Sequence, residues 1–84
     1  MYQIIYLPKF AKDLAKLPLY VQKQIVKAVS DLREDPFSLH VKKLEGVSSI
    51  YRLRVGDYRV VFQIDKQRGS ILLTRAAHRK DIYH

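Results

Sequence analysis

The segment Tyr51-Arg52-Leu53-Arg54-Val55-Gly56-Asp57-Tyr58-Arg59-Val60-Val61-Phe62 constrains this chain more than any other. Two runs rich in β-branched, aromatic and basic residues flank a Gly-Asp dipeptide, the pattern of two short strands joined by a tight turn. Two-residue hairpin loops favour glycine at the first central position, because that position takes a positive φ. With Gly56 and Asp57 as the loop, Val55 faces Tyr58, Arg54 faces Arg59, Leu53 faces Val60, Arg52 faces Val61 and Tyr51 faces Phe62. Directly opposed residues share a face of a sheet. One face then holds Tyr51, Leu53, Val55, Tyr58, Val60 and Phe62, and the other carries Arg52, Arg54 and Arg59. Arg54 opposite Arg59 is a like-charge pair, which destabilises the free protein. A polyanion reverses the sign of that interaction, and guanidinium forks match phosphate oxygens.

The rest of the chain supplies what such a hairpin needs to bury its apolar face. Tyr2 to Leu7 alternates and is rich in β-branched and aromatic residues, which predicts a strand. Pro8 opens a helix over Lys9 to Leu17 with Phe10, Leu14 and Leu17 as its buried stripe. Pro18 interrupts it and begins a second helix, from Leu19 to about Glu34. Val21, Ile25, Ala28, Val29 and Leu32 mark one face of that helix, with Lys23, Lys27 and Asp31 opposite. Asp35-Pro36 ends it. Residues 36–49 read as a loop punctuated by Gly46 and Ser48-Ser49, and residues 50–65 form the hairpin. Arg68-Gly69-Ser70 turns the chain into a strand over Ile71 to Ala76. Residues 79–83 fit an extra strand, a helical turn or a tail equally well. The expected fold is α+β: an N-terminal strand, a two-helix hairpin, then a three- or four-stranded antiparallel sheet with the helices on its apolar face. Residues 1–84 make one small domain.

Charge narrows the function. Sixteen basic residues against eight acidic ones give a net charge of +8, which predicts a polyanionic or acidic partner. The distribution is uneven: six of the seven arginines follow residue 51, whereas seven of the nine lysines precede it. Lysines spread on helices read as general surface charge; arginines gathered on strands read as a site. The chain has no cysteine, so disulfides and thiolate metal sites are excluded, which fits a reducing cytoplasm. Met1 to Tyr6 lacks the basic and apolar regions of a signal peptide, and no apolar run approaches the roughly 20 residues of a membrane span.

Metal and cofactor chemistry has no support. His40, His78 and His84 lack ligand spacing, and Gly46, Gly56 and Gly69 are isolated turn glycines. What remains is basic and aromatic: Arg52, Arg54, Arg59, Arg75, His78, Arg79, Lys80 and Tyr83, with Lys42 and Lys43 as further contacts for a nucleic-acid backbone. Tyr51 and Tyr58 read as core aromatics. Such a set holds a phosphodiester and suits metal-free RNA cleavage, in which the neighbouring 2′-hydroxyl attacks phosphorus. That reaction needs a base, positive charge for the phosphorane and an acid for the leaving 5′-oxygen. Arginine supplies charge but is a poor base, since its pKa exceeds about 12. Histidine titrates near neutrality, and a tyrosine whose pKa falls beside cations also transfers protons.

Lys43-Leu44-Glu45-Gly46, the hairpin from Tyr51 to Phe62, and Ala77-His78-Arg79-Lys80-Asp81-Ile82-Tyr83 together resemble the RelE/ParE superfamily of bacterial and archaeal toxins. The resemblance spans the chain and implies a compact α+β toxin paired with an antitoxin. In the RelE branch it implies a ribosome-dependent, metal-free endoribonuclease that cuts translated mRNA in the A site. In the ParE branch it implies a DNA gyrase inhibitor without nuclease activity. Arg52 and Arg54 stand where RelE proteins carry lysines, Arg59 matches the arginine after the family's aromatic residue, and Tyr83 matches its C-terminal catalytic tyrosine. Arg79 matches the preceding basic residue, with His78 beside it. Because arginine replaces lysine at 52 and 54, proton transfer in a nuclease falls to Tyr83, His78 or a ribosomal group; the expected roles are phosphate binding by Arg52, Arg54, Arg59 and Arg79, general base for Tyr83 and candidate general acid for His78. The implied partners are mRNA and the ribosome, an acidic antitoxin that is disordered when free, and promoter DNA only for the toxin–antitoxin complex. No cofactor, metal or membrane is implied.

Overall fold

Gly56 adopts a φ of +59° in the computed structural model, which describes residues 1–44 and 49–82. Among those residues no side-chain-bearing position has a positive φ, so Asp57 follows with a negative one, the pattern of a type II′ hairpin turn. This turn joins β3 (Ile50–Val55) to β4 (Tyr58–Asp65). The register pairs Val55 with Tyr58, Arg54 with Arg59, Leu53 with Val60, Arg52 with Val61 and Tyr51 with Phe62, as the turn length requires. A Cβ at Gly56 would meet nothing within 4 Å, so a substitution there acts through the backbone alone. Gly56→Ala is expected to cost roughly 1 kcal/mol, a fall of about 4–8 °C in Tm for a domain of this size. Thermal melting followed by circular dichroism checks it; an unchanged Tm would show that the turn relaxes to another type at no cost.

Around this hairpin the sheet is larger than the sequence suggests. β2 (Val41–Lys43) pairs antiparallel with β3, β5 (Ser70–His78) pairs antiparallel with β4, and β1 (Gln3–Tyr6) pairs parallel with β5. The order is β1-β5-β4-β3-β2. Four strands do follow the helices, but β1 returns as a fifth and makes the sheet mixed where an antiparallel one was expected. The segment read as a loop over residues 36–49 contains β2, whose three residues are too few to show a period of their own. Gly46 and Ser48 lie outside the described residues. β5 extends two residues beyond Ala76, held by pairing of His78 with Tyr58. Beyond it the chain makes a turn in which the Asp81 and Ile82 N–H groups donate to the His78 carbonyl at 2.8 and 3.1 Å.

α1 (Pro8–Ala15) and α2 (Leu19–Leu32) cover one face of the sheet. Pro8 takes the first position of α1, where a missing N–H costs nothing, and Pro18 is the N-cap of α2. The core joins Phe10, Val21, Ile25, Val29 and Leu32 from the helices to Tyr51, Leu53, Val60, Phe62, Ile64, Ile71, Leu73 and Ala76 from the sheet. The expected stripe of α2 is buried, with Ala28 packed at its margin. In α1, Phe10 is buried and Leu14 is half-buried, as is Leu17 just past the helix end, but the helix's second buried residue is Asp13.

The reason lies in the sheet edge. β1 pairs with β5 only as far as Leu73, and α1 takes over from there. Asp13 Oδ2 accepts the backbone N–H of Ala76 at 3.0 Å and the Arg75 Nε–H at 2.8 Å. A carboxylate on a helix thus replaces the strand that β5 lacks. Burial pushes the Asp13 pKa up, but the Ala76 N–H, the Arg75 guanidinium and Lys9 outweigh it and hold the carboxyl below its ordinary value.

Candidate nucleic-acid interface

With the helices on the Tyr51–Leu53–Val60–Phe62 face, the sheet turns Arg52, Arg54 and Arg59 to the other side, and β2 adds Lys42 opposite Arg52. Two adjoining clefts form there. One, of about 210 Å³, is lined by Leu39, His40, Lys42, Arg52, Arg54 and Arg59. The second, of about 480 Å³, is lined by His40, Arg54, Gly56, Asp57, Arg59 and Arg79. They share His40, Arg54 and Arg59, so the surface is one continuous basic concavity.

Arg59 is its centre. One guanidinium nitrogen donates to the carbonyls of Gly56 and Tyr58, each at 2.9 Å, which folds the side chain back over the hairpin turn. Burial pulls its pKa down, and the like charges of Arg52, Arg54 and Arg79 pull it further, with Asp57 pushing back. It stays charged nonetheless. Arg79 reaches the concavity from the C-terminal turn. Its N–H donates to the Asp57 carbonyl at 2.8 Å, and its Nε lies 3.9 Å from Asp57 Oδ1. The turn that sets the hairpin register therefore also docks the fourth arginine.

The structure separates other residues that the sequence grouped with these. His78 pairs with Tyr58, on the helix-covered side of the sheet. Its ring sits edge-on to Tyr58 at 5.2 Å, and its Nδ1 accepts the Lys80 N–H at 3.2 Å. The cause is a β-bulge: the register steps from Val61–Arg75 to Phe62–Leu73, leaving Thr74 as an extra residue. Simple alternation from Ile71 and Leu73 would bring His78 to the arginine side; one inserted residue flips every side chain after it. Arg75 is drawn to Asp13 at the sheet edge and does not reach the cluster. Lys43 pairs with Tyr51, so it belongs to the face opposite Lys42. Lys80 is exposed in the terminal turn. Tyr83 lies outside the described residues. Tyr51 is buried and stacks on Phe62, with ring centroids 5.8 Å apart and 17° between planes, a core contact.

One residue was missed. His40 was set aside for want of metal-ligand spacing, yet it borders both halves of the concavity. Its carbonyl accepts the Arg54 N–H at 2.9 Å. The available signal was its spacing of two from Lys42, which has meaning only once residues 41–43 are a strand. Among the described residues no group of three or more His, Cys, Asp or Glu side chains stands ready to hold a metal. None of the described helices is long and apolar enough to cross a membrane.

The fold matches known proteins. The family described as ParE toxin of type II toxin-antitoxin system, parDE, matches residues 4–83. The chain belongs to the RelE/ParE superfamily of toxins. Toxin RelE3 of Methanocaldococcus jannaschii is 29% identical to this toxin over 96% of this chain and 94% of its own length. Toxin RelG of Mycobacterium tuberculosis is 30% identical over 86% and 84%. A chain of the toxin–antitoxin complex RelBE2 from Mycobacterium tuberculosis superposes with a TM-score of 0.83 at 26% identity, covering 93% of this chain and 98% of that one.

Chemically, the concavity gathers guanidinium groups that suit a bound anion or negative charge developing on it. Groups held in place before the reaction stabilise such charge without reorganising. Guanidinium cannot exchange protons near neutral pH, so charge stabilisation and proton transfer must fall to different residues.

Proposed function

We propose that this toxin is a metal-free endoribonuclease that cuts translated mRNA in the ribosomal A site. The observation that carries this reading is the convergence of Arg52, Arg54, Arg59 and Arg79 on one concave surface of the sheet. The scissile phosphate lies on Arg59, flanked by Arg54 and Arg79, and Arg52 and Lys42 hold the adjoining backbone. The 2′-hydroxyl attacks phosphorus, and the arginines neutralise the charge of the phosphorane. Tyr83 takes the 2′-proton, the role that the family resemblance assigns to it. His78, across the sheet, is too poorly placed for the leaving group.

A RelB-type antitoxin is the proposed partner, in keeping with the RelBE2 complex whose chain shares this fold. Its segment over the concavity is acidic and orders on binding, because four arginines favour carboxylates there as they favour phosphates. Promoter DNA is a ligand of the toxin–antitoxin complex, and the site of action is the cytoplasm.

A second reading, gyrase inhibition without cleavage, draws on the ParE description of the matching family. Induction of the chain in translating cells, with mRNA 5′ ends mapped by primer extension, separates the two. New ends within translated codons, absent when initiation is blocked and absent for Arg59→Ala, establish the ribonuclease. Growth arrest with intact mRNA and accumulating DNA damage would transfer the case to gyrase.

A further inference from the structure

We infer that His40 is the general acid of this cleavage, delivering a proton to the departing 5′-oxygen. The inference rests on the ribonuclease reading. It answers a need that the reading leaves open: the arginines supply charge, and His78 is on the wrong side of the sheet.

Among the described residues His40 is the one imidazole that borders the arginine concavity, and it borders both halves of it. Its place is fixed by the backbone on either side. The His40 carbonyl accepts the Arg54 N–H at 2.9 Å, and the next residue, Val41, donates its N–H to the Ser38 carbonyl at 3.0 Å. The imidazole therefore leaves the main chain at the entry to β2, directly beside the residue that pairs with Arg59. A catalytic side chain needs such a rooted origin, since loose placement is costly in rate. His40 is also exposed, so water recharges it between turnovers. The charged groups that line the concavity with it are Lys42 of β2, Arg52 and Arg54 of β3, Asp57 of the turn, Arg59 of β4 and Arg79 of the terminal turn. Histidine is the side-chain type whose ordinary titration falls between pH 5 and 8.

The 2′-oxygen, its proton passed to the general base of the proposed reaction, forms a bond to phosphorus. The bond from phosphorus to the 5′-oxygen breaks, and its electron pair stays on that oxygen. The imidazolium of His40 protonates it. The products are a 2′,3′-cyclic phosphate and a 5′-hydroxyl, and neutral His40 takes a proton from water.

The test is single-turnover cleavage of mRNA on programmed ribosomes by the wild-type chain, His40→Ala and His40→Gln. Each is given an ordinary linkage and one whose 5′-bridging oxygen is sulfur, because a thiolate leaves without an acid. On the ordinary linkage both variants are expected to lose about 10²–10³-fold in rate with binding unchanged. On the sulfur linkage they are expected to recover to within about tenfold of wild type. Arg59→Ala, whose loss concerns the phosphate and not the leaving group, should fail on both linkages. Equal losses for His40→Ala on both linkages, or full activity on the ordinary one, would overturn the assignment while leaving the ribonuclease reading standing. A wild-type chain that cuts neither linkage would overturn the reading itself. Melting curves serve as the folding control, since His40 ties β2 to β3 through its backbone carbonyl.

Discussion

Arg59→Ala is expected to abolish toxicity and, in the same molecule, to raise Tm. The functional loss follows from position: Arg59 lies at the junction of both clefts, with Arg54 opposite it and Arg79 docked on the same turn. Removing one preorganised group that stabilises developing charge costs on the order of 10²–10³ in rate. The gain in stability follows from the same geometry. Burial and then the charges of Arg52, Arg54 and Arg79 lower the Arg59 pKa, which means that the folded chain holds this cation under strain. Like charges opposed across strands destabilise by about 0.2–1 kcal/mol. The variant also loses two hydrogen bonds, to the carbonyls of Gly56 and Tyr58. The first lies at an exposed turn, where water substitutes at little cost. A net rise of up to about 5 °C at low ionic strength is the expected outcome. The difference should shrink as salt screens the cluster. A variant that melts lower than wild type at low salt would show that the hydrogen bonds outweigh the repulsion. The toxin thus keeps a site that its own stability disfavours, a common arrangement where binding requires concentrated charge.

Asp13→Ala should have the opposite sign and a larger size. It removes the acceptor of a buried strand N–H and the counter-ion of Arg75 together. Leaving such groups unsatisfied costs about 2–3 kcal/mol, or a fall of roughly 10–20 °C in Tm. The contribution also depends on pH. The folded-state pKa of Asp13 is depressed, so the stability it confers is fully present above the unfolded value, about 3.9. It is lost as pH falls through the lower folded value. The gap in Tm between wild type and Asp13→Ala should therefore be constant from neutrality to about pH 5 and close below about pH 4. Melting curves across that range decide it; a gap that persists undiminished at pH 2 would mean that packing, not charge, is what Asp13 contributes.

These two residues differ in how far the sequence reveals them. Arg59 could be placed from the chain alone, because a two-residue turn dictates the pairing on either side, and Gly56 marks the turn by its need for positive φ. The α2 stripe was legible for a similar reason: helical spacing is a local property that burial then uses. Asp13 was not legible. On the helical pattern it is one more polar residue near Phe10 and Leu14, and its burial has meaning only beside a strand sixty residues away that has run out of partners. His40 was hidden likewise, because β2 is too short to announce itself and exists through its bonds to β3.

The hairpin, its register, the sidedness of its three arginines and the two helices were legible along the chain, as was the resemblance to a toxin superfamily. The structural features among these rest on neighbours within a few residues or on spacing along one element. The tertiary structure alone decided that β1 closes the sheet in parallel, that Asp13 caps its edge, that Arg79 docks on the hairpin turn and that His40 borders the cluster. It also decided the side of His78, through the single extra residue at Thr74. Face in a strand is a matter of parity, and parity is set by which partner each residue meets across the sheet, a long-range choice made by packing.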